Sequence, residues 1–217
     1  MKKIFIITLF VLAIPLLAHQ PIVERELVPE FIEIPDPEIS FAYYGELAGE
    51  PQKFIISSES EFNLYVQVLE PEISVAQKNH SAIIYDGDKN VVADLLAEDA
   101  NWESYFEFFG GDYYLNGSEY NDTLADSGVY EVVVSSPDNL GKYVLVTGKI
   151  EDFSDTSFFA TVKEIYRVKI FFEKSPLAIL QTPFVYVPAV LALILLGIVG
   201  LIGSRIYRRK KKTLVVK

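Results

Sequence analysis

No cysteine occurs in the 217 residues. That excludes a thiol nucleophile, a thiolate zinc site, a lipid-linked N-terminal cysteine and any disulfide. An exported domain built from this chain must therefore hold together by core burial alone. Histidine is nearly as scarce, with only His19 and His80. A multi-histidine metal site cannot be made from these two, and a Ser-His-Asp relay would depend on His80. His80 lies in Lys78-Asn79-His80-Ser81 and reads as an exposed loop residue ahead of a strand. Acidic residues stop at Glu173, and charge of either sign is missing from Ser175 to Ser204.

What fills that charge-free run is apolar. Phe184 to Gly203 is dominated by Leu, Ile, Val and Ala, and about 20 such residues in a helix cross a hydrocarbon core about 30 Å thick. Arg205, Arg208, Arg209, Lys210, Lys211 and Lys212 follow with no acid among them, the pattern of a cytoplasmic flank that also touches anionic lipid. At the other end, Met1-Lys2-Lys3 precedes an apolar run from Ile4 to Ala18. This run is short for a span and right for a signal-peptide core, with cleavage expected after Ala18. An uncleaved N-terminal anchor is the alternative reading, and either one exports the middle of the chain.

The exported part is strongly acidic. All 30 Asp and Glu lie between Glu24 and Glu173, against ten Lys and Arg between Arg25 and Lys174, a net charge near −20. Such a field repels phosphate backbones, so nucleic acid is excluded as a partner. Its plainest role is solubility.

His19 to Glu38 carries Pro21, Pro29, Pro35 and Pro37 among six acids and reads as an extended arm. Period-two patterning begins after it. Ile39, Phe41, Tyr43 and Gly45 alternate with Ser40, Ala42, Tyr44 and Glu46, and Lys53 to Ser57 follows the Gly49-Glu50-Pro51 turn. Phe62, Leu64, Val66 and Val68 form the cleanest half-buried strand. Ser81 to Asp86 and Val91 to Leu95 pair across Gly87-Asp88-Lys89-Asn90, and Tyr130, Val132 and Val134 lead through Pro137-Asp138-Asn139 to Tyr143–Thr147. Short strands with turn chemistry between them and no long helix predict an antiparallel β-sandwich of seven to nine strands. Beyond Gly148, Phe158, Phe159, Val162, Ile165, Tyr166 and Phe172 recur at helical spacing, with Ser154 or Asp155 able to cap the start. The apolar face of this helix has two possible beds, the sandwich or the lipid headgroup zone.

The expected organisation is a signal peptide (1–18), an acidic Pro-rich arm (19–38), a β-sandwich outside the cell (39–150) and an amphipathic linking helix (151–174). A transmembrane segment (175–204, core 184–203) and a basic cytoplasmic tail (205–217) complete it.

Three surfaces carry candidate chemistry. Asp86, Asp88 and Asn90 have oxygen side chains at alternate positions, as a calcium loop begins. Val91 stands where that loop needs Gly, however, and a hairpin turn accounts for the same residues. Trp102, Tyr105, Tyr113 and Tyr114 belong to a stretch of eight aromatics between Trp102 and Tyr120. With Glu103, Glu107, Asp112 and Glu119 nearby they could hold sugar rings, or they could fill the core. Gly200 and Ser204 form a small-x-x-x-small pair within the span. Asn79, Asn116 and Asn121 head glycosylation sequons. With 30 acids, carboxylate pairs alone identify no catalytic centre.

The stretch Ile39-Ser40-Phe41-Ala42-Tyr43-Tyr44-Gly45-Glu46-Leu47 opens the domain. Gly128-Val129-Tyr130-Glu131-Val132, with Ser136-Pro137-Asp138-Asn139-Leu140-Gly141-Lys142-Tyr143-Val144-Leu145, reads as its closing hairpin. Together these resemble the jelly-roll-like pre-peptidase C-terminal modules of prokaryotic secreted proteins, and more closely uncharacterised membrane-anchored surface proteins with the same layout. The resemblance covers about residues 38 to 150. It implies an all-β accessory or binding module, often found beside an enzyme, with no catalytic residues and no required cofactor. No protease is attached in this chain. The reading is therefore a single-pass surface protein with a non-enzymatic module for an envelope protein, the alternative being a carbohydrate- or calcium-dependent adhesive domain that binds surface glycan.

Overall fold

A computed structural model describes residues 20–23, 30–108, 110–152 and 158–215. The expected signal peptide and the Ser154 or Asp155 cap lie outside the described residues. Among those described, eleven strands form two sheets facing one another. One sheet has the order β1 (Gln20–Val23), β3 (Phe41–Ala48), β11 (Leu140–Thr147), β5 (Phe62–Pro71), β9 (Asp112–Ala125) and β8 (Glu103–Glu107). The other runs β2 (Ile32–Ile34), β4 (Gln52–Ser58), β10 (Gly128–Ser135), β6 (Ser81–Tyr85) and β7 (Val91–Leu95).

The count exceeds seven to nine because the N-terminal arm adds a short edge strand to each sheet. β1 pairs with β3 and β2 with β4, both in parallel, while the other pairings are antiparallel. These edge strands are short, and Pro35 follows β2, which is why no periodic signal marked them. A second correction concerns residues 128–145. β10 and β11 are not a hairpin: β10 pairs with β4 and β6, and β11 pairs with β3 and β5. The turn in which the Asn139 N–H donates to the Ser136 carbonyl carries the chain from one sheet to the other.

Between the sheets lies the main core, including Tyr43, Phe54, Phe62, Leu64, Val66, Val68, Ile84, Val132, Tyr143 and Leu145. Gly45 is opposite Tyr143 in the β3–β11 register, and the phenol ring lies across it. A Cβ on Gly45 would sit 2.5 Å from the Tyr143 ring. Gly45→Ala is expected to lower stability by about 2 kcal/mol through overpacking, read as a lowered thermal midpoint.

The centre of the six-stranded sheet, β3, β11 and β5, is buried on both faces. Helix α1 (Phe158–Phe171) lies against its outer side. Val168 and Phe172 close over Ala42, Tyr44, Tyr65, Leu69, Tyr114, Val144 and Val146. β5, expected to be half-buried, is therefore covered on its second face as well, Tyr65 and Leu69 lying under the helix, and the bed of α1 is the sandwich. The helix ends at Glu173, which takes a positive φ of 57° while the Lys174 N–H returns to the Lys169 carbonyl, a capping turn that usually employs Gly. A 3-10 turn (Pro176–Gln181) leads to helix α2 (Pro183–Val215). Within α2, Val185–Arg205 is long and apolar enough to cross a membrane, and none of it is buried in the protein.

Candidate functional site

The chemistry-bearing side chains of the sandwich gather in two places, and each pins a segment to a sheet. The larger is the seam beneath α1. There Asp112, fully buried at the start of β9, accepts a hydrogen bond from Lys169 Nζ at 2.7 Å and another from Lys174 Nζ. Lys169 is itself only 2% exposed and donates also to the Gly110 and Gly111 carbonyls. Burial pushes its ammonium pKa down from the usual value, while the Asp112 carboxylate works the other way. On the far side of the helix end, Lys142 Nζ donates to the Phe171 carbonyl at 3.0 Å and to Glu173 Oε1 at 2.8 Å. Between these ties Tyr44 and Tyr114 share a hydroxyl hydrogen bond of 2.6 Å. Burial raises both hydroxyls well above an ordinary phenol. The space left in the seam, about 20 Å³ lined by Tyr44, Tyr105, Glu107 and Tyr114 among others, is room for one water and not for a substrate.

The second cluster is Glu70 and His80. His80, expected on an exposed loop, is 1% exposed, and its Nδ1 lies 2.7 Å from Glu70 Oε1. The Glu70 carboxylate also accepts the backbone N–H groups of Gln77, Lys78, Asn79 and His80. The sequence shows a polar loop here. What it hides is that Glu70, one position before the end of β5, draws the loop inward.

The residues singled out from the sequence separate. Trp102 is buried, its indole N–H donates to the Ala97 carbonyl at 2.9 Å, and its ring packs on Gly117. Tyr114 is buried with Tyr105 stacked on it, ring centroids 5.5 Å apart. Burial raises the Tyr105 hydroxyl as well. Tyr113 faces outward instead and pairs with the exposed Phe106 across the β8–β9 register at 4.9 Å. The Asp86 carboxylate is taken up by its own turn, accepting the Asp88 N–H, the Asn90 N–H and the Asn90 side-chain amide. The Asn90 amide leads in holding this carboxyl below its usual pKa. Asp88 is exposed in the same turn. Among the described residues no group of three or more His, Asp or Glu could hold a metal ion. Arg205 and Arg208 are exposed on α2, whose backbone carries Arg209, Lys210, Lys211 and Lys212 as far as Val215; the side chains of those four lie outside the described residues.

No family model matches the sequence, and no curated protein matches it. Solved structures do. The pre-peptidase C-terminal domain of a collagenase from Bacillus anthracis is similar at 14% identity and a TM-score of 0.35, covering 57% of this chain and 98% of that one. The periplasmic inhibitor of g-type lysozyme from Aeromonas hydrophila is similar at 10% identity and a TM-score of 0.36, covering 60% and 98%. Its counterpart from Salmonella Typhimurium has 16% identity and a TM-score of 0.33, covering 55% and 98%. The likeness is distant and concerns the fold alone. The module type expected from the sequence is among these folds.

Proposed function

We propose that the chain is a single-pass surface protein of a prokaryotic envelope, with a cleaved signal peptide, the sandwich outside and the basic tail in the cytoplasm. The sandwich serves as a non-enzymatic interaction module for another envelope protein. The observation that carries this reading is the mounting of the sandwich on its span. A domain on a flexible stalk presents every face equally, whereas here Asp112, Lys169, Lys174 and Lys142 tie the end of α1 to the sheet, and only the 3-10 turn Pro176–Gln181 with its short flanks separates that end from α2. A fixed mount holds one set of faces at one height above the bilayer, which suits a partner seated in the same envelope. The buried polar groups support the same reading, because Glu70, His80, Asp112 and Lys169 hold segments of the fold in place and are closed to a substrate.

Mild cross-linking of the full-length protein in its native membrane, followed by affinity capture, tests the proposal. One envelope protein is expected to be recovered in a fixed proportion, at positions that cluster on one face. Recovery of the protein alone, or with surface polysaccharide only, would overturn it.

A further inference from the structure

Among the described residues, the β8–β9 hairpin carries apolar side chains that the fold leaves about half exposed. Phe106 is 46% exposed, Phe108 54% and Tyr113 52%. They stand at the tip of a hairpin in an otherwise acidic domain, where three large exposed rings together call for a partner. The position of the tip identifies that partner. A Cβ on Gly111, in the hairpin turn, would lie 3.5 Å from Pro183 Cδ and 3.6 Å from Thr182 Cα, so the turn touches the start of α2. The apolar span begins at Val185, two residues on and about 3 Å further along the helix axis. Each interfacial layer of a bilayer is about 5–8 Å deep, being half the difference between total and hydrocarbon thickness. The hairpin tip therefore falls at headgroup level when α2 spans. Leu177 and Leu180 are also exposed, on the 3-10 turn just before α2.

We infer that the β8–β9 hairpin is a second membrane contact, with the rings of Phe106, Phe108 and Tyr113 seated in the headgroup layer of the leaflet that α2 enters. Tyr113 has the amphipathic ring that this zone favours, and Phe106 and Phe108 supply apolar area of the kind that interfacial segments bury there. The buried ties of the neighbouring seam gain a purpose from this. Lys169 donates to the carbonyls of Gly110 and Gly111 and to Asp112, which fixes the hairpin turn against α1. With span and hairpin both engaged, the sandwich has two points of attachment and cannot swivel about the span. The inference rests on the proposed insertion of α2.

The absence of native cysteine makes the test direct. Full-length Phe108→Cys, Val129→Cys and Ile194→Cys variants, each carrying a nitroxide, are placed in nanodiscs of mixed zwitterionic and anionic phospholipid. Accessibility to oxygen is compared with accessibility to a water-soluble nickel complex. Val129 is exposed at the start of β10, at the far end of β9 from the hairpin tip, and serves as the aqueous reference. Position 194 is mid-span and reports α2 alone. The oxygen-to-nickel ratio at 108 is expected to lie severalfold above that at 129 and to approach that at 194. A ratio at 108 equal to that at 129, with 194 lipid-exposed, overturns the hairpin contact and leaves the anchor standing. A water-exposed label at 194 overturns both. Tyr113→Cys repeats the measurement on the same surface should Phe108→Cys fail to fold.

Discussion

Asp112→Ala is expected to cost about 3–5 kcal/mol of folding stability, the range for removing one partner of a buried ion pair. The direction follows from what remains behind. Lys169 would keep its carbonyl contacts at Gly110 and Gly111 but lose its Asp112 ion-pair partner, in a site that exposes 2% of its surface. Its ammonium must then lose a proton or leave the seam, and leaving means that α1 lifts from the sheet. Hydrogen exchange therefore gives a sharper reading than the midpoint alone. Amides of α1 should exchange much faster in the variant, while those of β4, β6 and β10 on the opposite sheet should change little. A second variant separates charge from packing. Asp112→Leu combined with Lys169→Met removes both charges at similar volume and should recover stability to within about 1–2 kcal/mol of the parent. Lys174, partly exposed at the rim, can turn to water when Asp112 is gone. An Asp112→Ala protein that melts with the parent and keeps its α1 protection would show that the apolar bed of Val168 and Phe172 is sufficient by itself.

The seam also shows where reading by residue pattern stops. Alternation found β3, β5, β6, β10 and β11 because each sends a regular set of apolar side chains to one core. Helical spacing found α1, and length with charge found α2. What pattern does not carry is pairing between distant segments. Lys169 reads as an ordinary solvent-facing lysine of an amphipathic helix, and Asp112 as one acid among 30. Their burial follows only from the packing of α1 across β9, 57 residues away in sequence. The apolar character of β3 on both faces was a readable hint, since Ala42 and Tyr44 had to be covered by something. The aromatic stretch was visible as unusual, but its division was not. Trp102 and Tyr114 turn inward and Tyr113 outward because residues on one strand alternate sides and a buried indole needs an acceptor, here the Ala97 carbonyl. Swapping a hairpin for a crossover between sheets at Ser136–Asn139 was equally invisible, as the turn chemistry is the same in both.

Glu70→Ala is expected to rank with Asp112→Ala, at about 4 kcal/mol, because several buried donors lose their acceptor at once. Four backbone N–H groups and the His80 imidazole converge on this carboxylate, which is fully buried. Glu70→Gln should cost less, about 2–3 kcal/mol, since one oxygen survives while the new amide group points a donor at donors. Acid unfolding distinguishes the two interactions further. Burial pushes the Glu70 carboxyl pKa up. The hydrogen bond from His80 and those from the Lys78 and Asn79 N–H groups outweigh it and hold the value below the ordinary 4.5. The folded state thus binds this proton less readily than the unfolded chain. The stability it contributes is fully present above about pH 4.5, and it is lost as the pH falls below that toward the depressed folded value. The parent should therefore lose thermal stability more steeply than Glu70→Gln on descending through that window, and their melting curves should converge in acid. The loop from Gln77 to His80 gives the local readout: its amides, protected in the parent by a carboxylate from another element, should exchange freely in Glu70→Ala. Equal acid limbs for parent and Gln variant would mean that the loop is held by its packing near Gly141 and Tyr143, which contact the His80 ring, and not by the charge beneath it.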